Sequence, residues 1–227
     1  MQKLGRHYSQ VECLLHAHDF SLSDEPSMTG AAAAEEGIGT ECADMIQVCY
    51  MGFIHYRICD ATFKAVLQQP DMTLHLVGPV APDYDRTVFA GFSNIVWHGS
   101  VTGDRLAELL RTMDVLIIPY DSSIPEVAVL TSTSKLFQYI AAGKPIVPSS
   151  LPCFLRMPKE VLISAPDPGE FVKRIREAKI SDDDYARRIR CRIAMENTWN
   201  GRGVQLCSII KSALGIDLEP SDGFKAG

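Results

Sequence analysis

At 227 residues the chain suits one domain with extensions, and its 46% hydrophobic content is ample for a core. A net charge of −6 argues against nucleic-acid backbone as the default partner. Seven scattered cysteines with no C-x-x-C pair fit reduced thiols, no apolar run approaches the roughly 20 residues of a membrane span, and no signal segment is visible, so the expected location is cytoplasmic.

Residues 1–22 include one short apolar run, Val11 to Leu15, that fits a strand. His16, His18 and Asp19 follow, but histidines two apart without further partners are weak evidence for a metal. Residues 23–44 are small, polar and glycine-rich and read as a linker.

From Ile46 the pattern becomes regular. IQVCYM is strand-like and ends at Gly52, and Ile58, Phe63, Val66 and Leu67 fall on one helical face. TLHLVG is a strand ending at Gly78, residues 81–93 a loop with a turn of helix, and NIVWHG a strand ending at Gly99. A helix over TGDRLAELLRTM follows, with Thr102 at its N-cap. DVLIIPY is a continuous apolar strand of the kind buried on both faces. After the next helix come KPIVPS and a sixth strand, VLISAP. A helix over DPGEFVKRIREAK, a second capped by Ser181, and a last one over about Val204 to Leu214 complete the elements. Strands alternating with helices at this spacing predict an α/β fold, a doubly wound parallel sheet. Ligands in such sheets bind at the C-terminal strand ends, where Gly52, Gly78, Gly99 and Tyr120 fall.

The stretch between Thr131 and Val147 organises the rest. Thr131, Ser132, Thr133 and Ser134 offer N-cap hydroxyls, Leu136, Phe137, Ile140 and Ala141 form an apolar face, and Gly143 with Pro145 ends the helix. Lys135 is out of place in a first turn, where a cation is unfavourable by roughly 0.3–1 kcal/mol. An anion held between the lysine and the helix N-terminus reverses that sign, and Gln138, one turn on, reaches the same ligand. A lysine snorkelling to solvent from an ordinary surface helix is the equally weighted alternative.

SKLFQYIAAGKPIV resembles the signature K-L-F-E-Y-L-A-A-G-K-P-V-V of bacterial GT-B glycosyltransferases that build surface polysaccharides, teichuronic-type enzymes among them. Residues 45–80 and 94–121 resemble the opening and middle of the same nucleotide-sugar domain, in the family order. The Gln138 position is usually glutamate, and the other glutamate of the E-x7-E motif falls at Leu130, so that motif is absent and the pattern is closer to xanthan-type glucuronosyltransferases. HAHDF, His16 to Phe20, resembles the crossover between acceptor and donor domains.

The resemblance implies three parts: 1–44 as crossover remnant and linker, 45–180 as a Rossmann-like nucleotide-sugar-binding domain, and 181–227 as C-terminal helices and tail. It implies transfer of a sugar from a nucleotide diphosphate donor, UDP-linked by expectation, to a glycan or lipid-linked acceptor, with no cofactor and no metal. Lys135, Ser132 and Ser134 would neutralise the departing diphosphate, Gln138 would hold ribose or phosphate oxygens, and Gly52 with Phe53 would bring backbone N–H groups to phosphate. Tyr120 and the Gly99–Val101 backbone would hold the nucleoside. Arg57 faces either phosphate or water. No general base is assigned; it is expected in an acceptor domain or subunit, without which the chain would not catalyse transfer. The rivals are a GT-B nucleotide-sugar epimerase, a separate donor-binding subunit and a non-catalytic remnant. Asp83-Tyr84-Asp85 and Asp182-Asp183-Asp184 invite metal readings that the sequence context disfavours, the second as acids suited to a first helical turn. Arg174, Arg176, Arg187, Arg188, Arg190 and Arg192 form a basic stripe, read as a solvated face, with contact to anionic lipid at the inner membrane face as the alternative.

Overall fold

Strands that are apolar at nearly every position need cover on both faces. The computed structural model describes residues 17–18, 45–130, 133–155 and 157–215, and it supplies that cover. Five parallel strands, β1 (Ile46–Met51), β2 (Met72–Val77), β3 (Ile95–Gly99), β4 (Val115–Ile118) and β5 (Ile146–Pro148), form one sheet in the order β3-β2-β1-β4-β5. The helices are α1 (Asp60–Leu67), α2 (Gly103–Arg111), a short α3 (Pro125–Ala128), α4 (Ser134–Ala141), α5 (Pro168–Ile180), α6 (Asp184–Met195) and α7 (Trp199–Leu214). This is the expected doubly wound, Rossmann-like α/β fold.

The pleat divides each strand between two cores. Val48 and Tyr50 join Phe63 and Val66 of α1 and Phe171 and Ile175 of α5. Cys49 and Met51 join Leu106 and Leu110 of α2, Leu136 and Ile140 of α4, and Ala194 of α6. Burial pushes the Cys49 thiol far up, so it packs as a small neutral side chain.

Four expectations need correction. VLISAP does not form a sixth strand; Leu162 and Ala165 make only isolated bridges to Ile146 and Ser149, because Pro148 of β5 has no N–H to donate and interrupts the ladder between them. Ser181 ends α5, and it is Asp183 that caps α6 by accepting the Ala186 N–H. The last helix starts at Trp199, five residues before Val204, because the Thr198 hydroxyl caps it through Gly201 and outweighs the low propensity of Gly201 and Gly203. The arginines are not one solvated stripe. Arg190 is fully buried, donating to the carbonyls of Gly143 at 2.9 Å and Glu160 at 2.7 Å and to Asp182, which ties α6 to the end of α4. Arg176 pairs with Asp71, Arg174 with Glu170 and Glu177, and Arg187 with Asp182 and Asp184.

In the other acidic cluster, one carboxylate has a local structural role. Asp85 accepts the N–H of Thr87 at the start of a 3₁₀ turn, Arg86–Phe89. His18 is buried; its N–H donates to the Asn197 carbonyl at 3.1 Å, and its Nε2 lies 2.9 Å from the Ala194 carbonyl, beside the start of α7. His16 and Asp19 lie outside the described residues.

One polar chain crosses the sheet. Gln47 donates through its amide to the Met45 carbonyl, leaving Oε1 to accept from His75 Nε2 at 2.7 Å. The Nδ1 of a neutral His75 must then accept from His98 Nε2, 2.9 Å away. Burial holds both imidazoles below their usual 6.5, His98 adding to the effect on His75. The unfolded chain therefore binds protons first as pH falls, so this stabilisation is full above about pH 6.5 and is lost on acidification towards the folded-state values. The urea midpoint should fall from about pH 7 to about pH 5.5, and the fall should be smaller in the double variant His75→Gln/His98→Gln. An equal fall in the variant would remove these histidines from the account.

Candidate functional site

The chain turns to opposite sides of β1, first to β2 and β3 and later to β4 and β5, so the switch point lies between the ends of β1 and β4. In open α/β sheets the crevice at that point takes the ligand. Here it is bounded by Gly52 after β1, Tyr120 after β4, and the first turn of α4.

α4 begins at Thr133, which has extended φ and ψ of −136° and 134° and whose side chain makes no capping bond. Its hydroxyl instead lies 3.4 Å from the Tyr120 hydroxyl. The first-turn N–H groups thus receive no side-chain acceptor from the cap, leaving a partial positive end directed at the crevice.

Lys135 adds a full charge at the same place. Its Nζ donates to the Tyr120 hydroxyl at 2.6 Å and to the Tyr50 hydroxyl at 3.4 Å. It sits 4.8 Å and 5.1 Å from the centroids of those two rings. Among the described residues, no carboxylate forms an ion pair with it. The snorkelling alternative is therefore set aside: the side chain is half-buried and turned across the ends of the strands.

Glycines make the room. Gly52 has φ of +142°, and a Cβ there would lie 2.8 Å from Lys135 Cε and 3.0 Å from its Nζ. Gly78 has φ of +132°, and a Cβ there would meet the Gly52 carbonyl oxygen at 2.2 Å. The backbone steps across the strand ends: Gly52 N–H donates to Val77, and Gly78 N–H to Gly99.

Of the residues the sequence singled out, Gly52, Tyr120 and Lys135 meet in one cluster. Ser134 is exposed on the first residue of α4, and Gln138 is half-buried one turn beyond it. Phe53 is exposed, with its carbonyl accepting from the Tyr50 hydroxyl at 3.0 Å. Gly99 and Val101 are at the end of β3, two strands from Gly52, or about 10 Å. Ser132 lies outside the described residues. Arg57 is turned to the rim, donating to the Tyr56 hydroxyl, which donates to Glu126.

Two further tyrosines were not singled out. Tyr50 is fully buried and contacts Lys135; its signal was a lone hydroxyl in the apolar run IQVCYM, two residues before the glycine. Tyr139, one turn beyond Lys135, accepts the Met51 N–H at 2.6 Å and so pins α4 to the end of β1. Burial raises the hydroxyls of both, so they remain protonated.

Residues 55–179 match the family described as glycosyl transferases group 1. The chain belongs to that family. It is 30% identical over 144 residues to a putative teichuronic acid biosynthesis glycosyltransferase, TuaH, of Bacillus subtilis (strain 168), covering 60% of this chain and 36% of that protein. Anabaena HepE, solved in complex with UDP-glucose, superposes with a TM-score of 0.57 at 16% identity, covering 75% of this chain and 50% of HepE. Sucrose-phosphate synthase from Thermosynechococcus elongatus superposes with a TM-score of 0.58 at 18% identity, covering 76% of this chain and 46% of the synthase. These likenesses show a GT-B glycosyltransferase fold, and the chain spans about a third to a half of the length of these relatives.

The matched segment contains Tyr120, Lys135 and Gln138 but begins after Gly52, so the glycine step is this chain's own test of the site. Gly78→Ala should cost about 1–3 kcal/mol from backbone strain alone, with the clash against Gly52 adding to it, and lower Tm by several degrees. A Tm equal to that of the parent would show that the close approach at Gly52 is not required.

Proposed function

We propose that this chain is the donor-binding domain of a glycosyltransferase that transfers a sugar from a UDP-linked donor to a glycan or lipid-linked acceptor in polysaccharide biosynthesis. The observation that carries the reading is the Lys135 ammonium, held at the first turn of α4 over the switch point without a carboxylate partner among the described residues. A cation placed beside a helix N-terminus calls for an anion, and a diphosphate supplies two phosphate groups to it. HepE was solved with UDP-glucose, and TuaH is named for teichuronic acid biosynthesis; both support the donor and pathway classes.

In the transfer, an acceptor hydroxyl oxygen forms the new bond to the anomeric carbon of the sugar. The bond from that carbon to the β-phosphate oxygen breaks, and its electron pair leaves with the diphosphate. The acceptor proton passes to a general base. Charge thus accumulates on the departing diphosphate, where Lys135 and the α4 N–H groups lie, and stabilising that charge is this domain's part in catalysis. The Gly99–Val101 backbone, about two strand spacings away, receives the nucleoside. Gln138 bonds ribose or phosphate oxygens. Because protein donors meet the phosphates, the reading needs no metal, and an acceptor domain facing the crevice brings the acceptor and the base. The expected setting is the cytoplasm.

Titration calorimetry should show UDP binding that survives EDTA. Lys135→Ala should weaken it by about ten- to a hundredfold, the loss of one charge-assisted contact, while uridine binding stays as in the parent. Equal UDP affinity in Lys135→Ala would overturn the anion site, and a magnesium requirement would overturn its metal independence.

A further inference from the structure

The Lys135 ammonium reaches the crevice from one side of the sheet, and the residue that meets it comes from the other. Strand alternation places Tyr50 in the core of α1 and α5, its ring edge-on to Phe63 at 5.8 Å, whereas α4 belongs to the opposite core. The Tyr50 hydroxyl, buried like its ring, lies at the C-terminal edge of β1. It donates to the Phe53 carbonyl at 3.0 Å, which leaves its lone pairs to accept from Lys135 Nζ at 3.4 Å. A Cβ at Gly52 would lie 3.2 Å from this same oxygen, so the glycine, the phenol and the ammonium share one small space.

We propose that Tyr50 is a positioning residue: its hydroxyl holds the Lys135 ammonium over the Gly52 turn, in register for a diphosphate, and does so without touching the nucleotide. Tyr120 cannot do this alone. Its hydroxyl also neighbours Thr133 on α4 itself, so it relates Lys135 to its own helix and to β4, while Tyr50 is the contact that relates Lys135 to β1 and the Phe53 turn. With the phenol oxygen removed, the ammonium keeps the Tyr120 bond but loses its tie to the glycine turn. The inference rests on the reading of Lys135 as the diphosphate contact.

The experiment is calorimetry of UDP and uridine binding to the parent, Tyr50→Phe, Lys135→Ala and the double variant. Tyr50→Phe keeps the buried ring, and a thermal melt reports any general loss of stability. It should weaken UDP by roughly two- to tenfold, the range for one neutral hydrogen bond, with uridine unchanged, and should add nothing in the Lys135→Ala background. A purely structural role would instead weaken both ligands and persist in that background. Parent-like UDP affinity in Tyr50→Phe, equal losses for UDP and uridine, or a full effect in the double variant would overturn the positioning role alone. Parent-like UDP affinity in Lys135→Ala, or no UDP binding by the parent, would overturn the diphosphate reading and this inference together.

Discussion

A half-buried ammonium at the start of a helix is the constraint on which the site depends. The helix end opposes it by roughly 0.3–1 kcal/mol, and burial adds a desolvation cost. Two phenol oxygens, with their rings close by, offset part of this. None of them carries a negative charge, so the positive potential survives at the strand ends. A carboxylate in either tyrosine's place would hold the lysine more firmly and also cancel that field, which the proposed diphosphate contact requires.

The surrounding fold keeps that lysine in place from several directions. Tyr139 fastens α4 to Met51 at the end of β1, and Ser149 donates to the Tyr120 carbonyl at 2.6 Å, fixing the end of β4. At the far end of α4, the buried Arg190 takes up the Gly143 carbonyl and links it to Glu160 and Asp182. Buried ionic groups of this kind add little net stability but are costly to break, so they define geometry more than they strengthen the fold. The helix that presents Lys135 is therefore held at its start, middle and finish.

Local signals account for where the sequence reading succeeded and failed. Helix and strand periods, and glycines at strand ends, are properties of neighbouring residues, so β1 to β5 and the frame of α4 were legible. The misjudged features turned on competition between neighbours or on distant partners. Asp183 displaced Ser181 as a cap because the helix begins two residues later, and α7 ran through two glycines because Thr198 caps it. Arg190 looked like part of a solvated stripe because its neighbours Arg187 and Arg188 are exposed, whereas its partners Gly143 and Glu160 are 47 and 30 residues away.

By itself, the sequence determined the fold class, the family and the oddity of Lys135, since each is written in short-range pattern: apolar period, cap and glycine placement, and a continuous motif. Only the tertiary structure decided what Lys135 touches. Tyr50 lies 85 residues before it and Tyr120 lies 15, on β1 and just after β4, strands that are adjacent only because the sheet order is β3-β2-β1-β4-β5. Strand order is set by non-local pairing and crossover handedness, and the meeting of two tyrosines, a glycine and a lysine follows from it rather than from any spacing along the chain.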